Sequence, residues 1–191
     1  MEFFDDILSI EDQRNILDTF TSSHFPWYLS NSELHWTAPV QYHNNNKDAF
    51  TQEGLQLVHT FVRNGELNTS PEGYAFAQTM LKMFSEKTGT KIDSIKRVKA
   101  NLQPKCSDFT PDGYNTPHVD FDEPHQVLLY YVNDSDGDTF IFDRTPDGDF
   151  QVLKRIPPRQ GRFVLFDGAH YHAGSHPQSH DLRIVLNIDF V

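Results

Sequence analysis

Apolar and polar positions follow two different rhythms along this chain. Up to Gly89 the clearest signal has a helical period; beyond it, short apolar runs alternate with turn residues. Phe3 to Leu8 reads as a short strand. Ser9 then opens a helix as its N-cap, with Asp12 three residues later as a variant capping box and Ile16, Leu17 and Phe20 on the apolar side. Residues 24–60, rich in His, Asn and aromatics, read as short strands and loops around Trp27 and Trp36. A second helix is expected from Ser70 as N-cap and Pro71 as first helical residue, with a stop at Gly89. Its stripe is Tyr74, Ala77, Leu81 and Phe84, spaced three to four apart.

Past Gly89, β-rich runs fall at 92–103, 126–133, 138–143, 150–156, 162–167 and 182–190. Asp136-Gly137 and Asp147-Gly148 read as hairpin turns, and Pro157-Pro158 with Gly161 marks a corner. Helices first, antiparallel strands afterwards: the order predicts an α+β, mostly β chain whose β half is a sandwich or jelly-roll barrel. On the last run Leu182, Ile184, Leu186 and Ile188 make a dry face. Arg183, Val185, Asn187 and Asp189 make the other, as expected of a strand lining a polar pocket.

A length of 191 residues predicts one domain, with 1–90 as a supporting strand and helix region and 91–191 as the β-core. Hydrophobic residues are only 37%, but 16 Phe supply enough bulk for a packed core. With 16 basic against 27 acidic residues the net charge is −11, which opposes unaided binding of nucleic acid. Lys91, Lys96, Arg97, Lys99 and Lys105 cluster before residue 106; an edge strand protected by lysines explains them better than a basic stripe. The lone Cys106 excludes an internal disulfide framework and a Cys-rich zinc cluster. An acidic start, with no apolar run of membrane-spanning length, leads us to expect a soluble cytoplasmic protein without a membrane anchor. Without GxGxxG, P-loop or GxSxG motifs, the dinucleotide-binding, P-loop NTPase and α/β-hydrolase readings lose their main support.

Histidine carries the chemistry. Six of ten lie beyond residue 117. In Tyr114-Asn-Thr-Pro-His118-Val-Asp120, residues two apart on an extended backbone share a face, so His118 and Asp120 offer a nitrogen and an oxygen to one metal. The apolar run from Phe163 enters a His-bearing turn at His170-Tyr-His172-Ala-Gly, and Arg183 follows eleven residues after His172. Two His and one carboxylate on one face of an octahedral ion form the facial triad of non-haem Fe(II) oxygenases. Three positions stay open for a bidentate keto acid and O₂. Arg183 is a fork suited to the far carboxylate of such an acid.

In these residues the chain resembles the 2-oxoglutarate- and Fe(II)-dependent dioxygenases, particularly the prolyl 4-hydroxylase-like branch. The resemblance covers about residues 90–191 and rests on His118-Val-Asp120, His172-Ala-Gly and Arg183 in order and spacing. It implies a double-stranded β-helix (jelly roll) with the N-terminal helices packed on one sheet. It implies Fe(II) held by His118, Asp120 and His172 as the catalytic centre, with 2-oxoglutarate and O₂ as cosubstrates and ascorbate as a candidate reductant. The run Gln126-Val-Leu-Leu-Tyr-Tyr-Val-Asn resembles the family's Tyr-Tyr-Leu-Asn strand, which makes Tyr131 a 2-oxoglutarate contact. Where the family often has a supporting Tyr before the His-x-Asp, this chain reads Asn101-Leu-Gln103-Pro104; Gln103 stands in as a hydrogen-bond donor. Gly137-Asp138 replaces the family's Gly-Gly. Asp120 argues against the halogenating variants, which give up the carboxylate. The implied activity is C–H hydroxylation of a peptide, a protein side chain or an amino-acid-like molecule, with a nucleic-acid demethylase disfavoured by charge. A metal-stabilised, non-catalytic jelly-roll module is the alternative, and it has no need of Arg183 or Tyr131 near the metal. Asp122, Glu123 and His125 read as a solvated loop, His170 as second to His172, and His176 and His180 as surface residues.

Overall fold

The computed structural model describes residues 1–30, 54–69, 71–107, 109–145 and 148–191. Its elements run β1 (Glu2–Phe4), α1 (Ile10–Thr21), β2 (Tyr28–Leu29), β3 (Leu57–Arg63), β4 (Glu66–Leu67), α2 (Pro71–Thr88), β5 (Ile95–Pro104), β6 (Gln126–Tyr131), β7 (Thr139–Arg144), β8 (Phe150–Ile156), β9 (Phe163–Asp167), β10 (Tyr171–Gly174) and β11 (Leu182–Phe190). The larger sheet has the order β1-β9-β6-β11-β5-β3-β2, with β4 beside β3; the smaller is β10-β7-β8. All pairings are antiparallel. This is the jelly roll expected from the sequence.

α1 begins and α2 ends on signals read from the sequence. Ser9 accepts the Asp12 backbone N–H and donates its hydroxyl, rather than its backbone N–H, to the Asp12 carboxylate, a variant of the capping box. Gly89, at φ +75°, ends α2 by donating its N–H to the Ser85 carbonyl, a backbone angle that favours glycine. Ser70 lies outside the described residues.

Alternation along the strands builds three layers. Leu128, Tyr130, Ile184, Leu186, Ile188 and Phe190 face the helices and pack on Ile16, Phe20, Ala77, Leu81 and Phe84. Val127, Leu129, Tyr131, Val164, Phe166 and Val185 face the other way and meet Ile141 and Ile156 of the smaller sheet. Tyr114, Phe140, Phe142, Phe150 and Ala173 form a third cluster on the far side of the smaller sheet. The helices thus lie on one sheet, as expected, and the second face of β11 looks into the space between sheets.

Several local expectations fail. The first strand stops at Phe4, because Asp6 takes a positive φ of 61° and turns the chain. Asp136-Gly137 is no hairpin: β6 and β7 belong to different sheets, so residues 132–138 cross between them. The β7–β8 pair is a hairpin, closed by Thr145 N–H to the Asp149 carbonyl, with Asp147 outside the described residues. The turn expected at His170 gives way at Tyr171 to β10, paired with β7. Within 24–60 the chain forms β2 and the start of β3, while Trp36 lies outside the described residues. The lysine-rich β5 is no edge strand, since β11 and β3 flank it on both sides. Among the described residues, no helix is long and apolar enough to cross a membrane.

Candidate metal centre and anion pocket

His118 and His172 stand opposite each other as a pair of bridged backbones, each accepting the other's N–H at 3.1 and 2.9 Å. β10 carries His172, and this bridge ties the His118 segment to it. The two rings lie 4.8 Å apart. Asp120 points between them: its Oδ1 is 3.6 Å from His118 Nε2 and its Oδ2 is 3.4 Å from His172 Nε2. One ligand atom from each of the three lies within 4.8 Å of the others.

The donor set fits a divalent metal. His118 Nδ1 sits 3.0 Å from the Thr116 carbonyl and His172 Nδ1 3.4 Å from the His170 carbonyl. A carbonyl only accepts, so each Nδ1 carries the proton and each Nε2 keeps its lone pair toward the cluster. His172 Nε2 is buried and has no hydrogen-bond partner among the described residues. Electrostatics agree. Desolvation and the neighbouring His172 hold His118 below the ordinary imidazole value, although its side chain as a whole is half exposed. Burial alone would raise the Asp120 carboxyl, but His172, Arg97 and His118 outweigh it and keep the group well below the carboxylate range. His170 is half-buried on the approach to β10, and it serves His172 through its backbone carbonyl.

Two further residues grip Asp120. Asn187 Nδ2 donates to Oδ2 at 3.0 Å, and Arg97 lies 2.5 Å from Oδ1. Neither was singled out as a site residue from sequence. Strand alternation put Asn187 on Arg183's face, which was the available signal; for Arg97 there was none. A cavity of about 770 Å³ opens next to Phe121, the residue after Asp120, lined also by Tyr74, Ile95, Lys96 and Glu123.

Arg183 begins the same face of β11. It is buried, at 5% exposure, and its hydrogen-bond partners among the described residues are neutral: Nε donates to the Gly137 carbonyl at 2.7 Å, one terminal nitrogen to Gln103 Oε1 at 2.6 Å and the other to Thr139 Oγ1 at 2.7 Å. Tyr131 donates its hydroxyl to the same Thr139 oxygen at 2.8 Å, and its ring centroid lies 6.0 Å from the guanidinium carbon. Burial presses the Arg183 pKa down, against the pull of Tyr131 and Asp138. Asp138 is already paired with Arg155. Gln103 therefore meets Arg183 as an acceptor, where the sequence suggested a donor. Gly174 roofs this pocket. A Cβ there would sit 3.1 Å from an Arg183 terminal nitrogen and 3.2 Å from Gln103 Oε1, which gives the Ala-Gly after His172 a steric reason.

Two of the remaining histidines correct the sequence reading. His125 is buried, with Nδ1 on the Glu123 carbonyl, whereas Asp122 and Glu123 are exposed. His176 is also buried, its ring 4.8 Å from that of Phe109 and its Nδ1 3.0 Å from the Pro104 carbonyl. Short polar sequences surround both, so local pattern gave no hint of burial. His180 is half exposed and pairs with Asp136.

No protein-family model matches the chain, and no curated protein matches it. Solved structures do. A 2OG-Fe(II) oxygenase family oxidoreductase from Burkholderia pseudomallei is 14% identical at a TM-score of 0.63, over 98% of this chain and 83% of that one. A prolyl hydroxylase from Trichoplax adhaerens, in complex with a hypoxia inducible factor peptide fragment, is 13% identical at 0.57, over 99% and 82%. The non-heme alpha ketoglutarate dependent epimerase SnoN from nogalamycin biosynthesis is 11% identical at 0.60, over 99% and 76%. The chain has the jelly-roll fold of the 2-oxoglutarate- and Fe(II)-dependent oxygenases.

Proposed function

We propose that the protein is an Fe(II)- and 2-oxoglutarate-dependent dioxygenase that hydroxylates a C–H bond. One observation carries the reading: Arg183, a buried cation bonded among the described residues only to neutral acceptors, shares a strand face with Asn187, which grips the carboxylate of the His-Asp-His cluster. Four residues of extended strand separate the two, roughly 13 Å at about 3.3 Å per residue. A buried charge without a counter-charge is costly, so the pocket favours an anion that reaches toward the cluster.

In this reading His118, Asp120 and His172 hold Fe(II) through two Nε2 atoms and a carboxylate oxygen. Arg183 uses three of its five N–H donors on the protein, leaving two for the far carboxylate of 2-oxoglutarate. Tyr131 and Gln103 orient that fork from either side, Tyr131 through Thr139. Val185, Ile141 and Phe166 keep the space between the sheets apolar, and Phe166 packs edge-on to His172 at 5.3 Å. When bound, iron with 2-oxoglutarate and O₂ would supply the oxidising chemistry of a C–H hydroxylation, with succinate and CO₂ as coproducts. Ascorbate would serve as reductant for idle iron. In this reading 1–191 acts as one domain: α1 and α2 brace the larger sheet, and residues 1–90 also give it β1, β2, β3 and β4.

For substrate we favour a peptide, a protein side chain or an amino-acid-like molecule. The prolyl hydroxylase likeness supports this, and the net charge of −11 disfavours nucleic acid. The epimerase likeness is a reminder that one fold hosts several outcomes. The test is succinate release with Fe(II) and 2-oxoglutarate, screened over peptides, free amino acids and single-stranded DNA and RNA. We expect turnover stimulated by a peptide or amino acid. No succinate under any condition would point to a binding module, and product on a methylated base would overturn the substrate class.

A further inference from the structure

Arg97 on β5 stands directly across from Asp189 on β11. Its guanidinium joins two buried carboxylates: a terminal nitrogen lies 2.5 Å from Asp120 Oδ1, and Nε donates to Asp189 Oδ2 at 2.7 Å. The Asp120 and Asp189 side chains are 2% and 0% exposed. A single planar fork thus serves both buried carboxyl groups. Asp189 stands outside the His-Asp-His cluster. Among the described residues its other oxygen has no hydrogen-bond partner and lies 3.9 Å from His125 Nε2, so its one short contact is with Arg97. The guanidinium also packs over the Phe121 ring, 5.5 Å from its centroid.

We infer that Arg97, seated on Asp189, is a positioning residue that fixes the orientation of the metal-binding Asp120 carboxylate. The inference rests on the proposed metal site. With Arg97 on Oδ1 and Asn187 on Oδ2, both ends of the carboxylate are held and it cannot rotate away from the two imidazoles. Partners of this kind tune a metal site as strongly as they orient it. A lysine at 97 would keep the charge but not the fork, so it could not hold both carboxylates in place.

The test uses the full chain with Mn(II) and Co(II). Mn(II) affinity is titrated by electron paramagnetic resonance, and the Co(II) site is read by its visible absorption. Arg97→Lys should bind Mn(II) about 10–100-fold more weakly than wild type and shift the Co(II) spectrum. Asp189→Asn keeps an acceptor for Nε and should lose less. If Arg97 merely neutralised Asp189, Arg97→Lys would leave affinity and spectrum unchanged, and that result overturns the inference. Should Arg97→Lys fail to fold, Arg97→Gln/Asp189→Asn removes the fork and its carboxyl seat together and carries the same expectation. Wild type binding either metal no better than His172→Ala would instead sink the metal site itself, and the inference with it.

Discussion

A guanidinium buried among neutral oxygens gains from an added anion, and Arg183 is such a group among the described residues. Replacing it with alanine should weaken 2-oxoglutarate binding to the Mn(II)-loaded protein by about 10–150-fold, the equivalent of about 1.5–3 kcal/mol for a charged hydrogen bond. Mn(II) affinity should stay the same, and Arg183→Lys should fall between the two. Calorimetry reads both quantities; unchanged 2-oxoglutarate affinity in Arg183→Ala would mean the cosubstrate is anchored elsewhere. The two histidines of β10 and its approach separate just as cleanly. His172 turns a buried, unpartnered Nε2 toward Asp120, whereas His170 gives only its carbonyl. Mn(II) titration should therefore find His172→Ala without a site and His170→Ala close to wild type. Equal losses would reverse the ligand assignment.

At the scale of elements, the helices matter by bracing the sheet that carries Arg183 and Asn187. Phe84 of α2 is fully buried, with its ring 5.2 Å from Phe4 on β1 and 5.1 Å from Phe163 on β9. It ties one helix to two strands of the larger sheet. Phe84→Ala leaves a cavity at that junction and should cost about 3–5 kcal/mol in denaturant unfolding. Ser9→Ala removes only an exposed cap from α1 and should cost about 1 kcal/mol. A Phe84→Ala loss no larger than that of Ser9→Ala would show that α2 contributes little to holding the sheet.

Across the whole molecule, Asp136 links the crossover between sheets to the loop that leads into β11. Its carboxylate accepts backbone N–H groups from Gln178, Ser179 and His180, the Ser179 hydroxyl and a His180 ring contact. Burial would raise its pKa, but these donors together hold it well below the usual carboxylate range. A group whose pKa is depressed by folding stabilises the fold above its unfolded value, about 4, and that contribution fades as pH falls through the folded value. Asp136→Asn should therefore be less stable than wild type at pH 7, with the gap narrowing below about pH 4. Urea unfolding at both ends of that range checks it, and a gap that widens in acid would refute the linkage.

Local pattern by itself determined much of this protein. The helical stripe of α2, the capping box at Ser9 and most of the strand runs depend on residues within a few positions of each other, where periodicity and turn chemistry act directly. The order His118, Asp120, His172, Arg183 was legible because those residue types carry their chemistry wherever the backbone sets them, and alternation along β11 put Arg183 and Asn187 on one face. Tertiary structure decided the rest. Arg97 meets Asp189 across 92 positions of chain, and Gln103 meets Arg183 across 80, so nothing local to either partner announces the pair. The same holds for β10, whose four residues become a strand by pairing with β7, and for residues 132–138, which read as a hairpin until the two flanking strands part into different sheets. Burial of His125 and His176, and the change of Gln103 from donor to acceptor, arise only when distant elements close over them. Contacts between residues far apart in sequence are set by the packing of layers, and that packing is what turned a few recognisable side chains into a site.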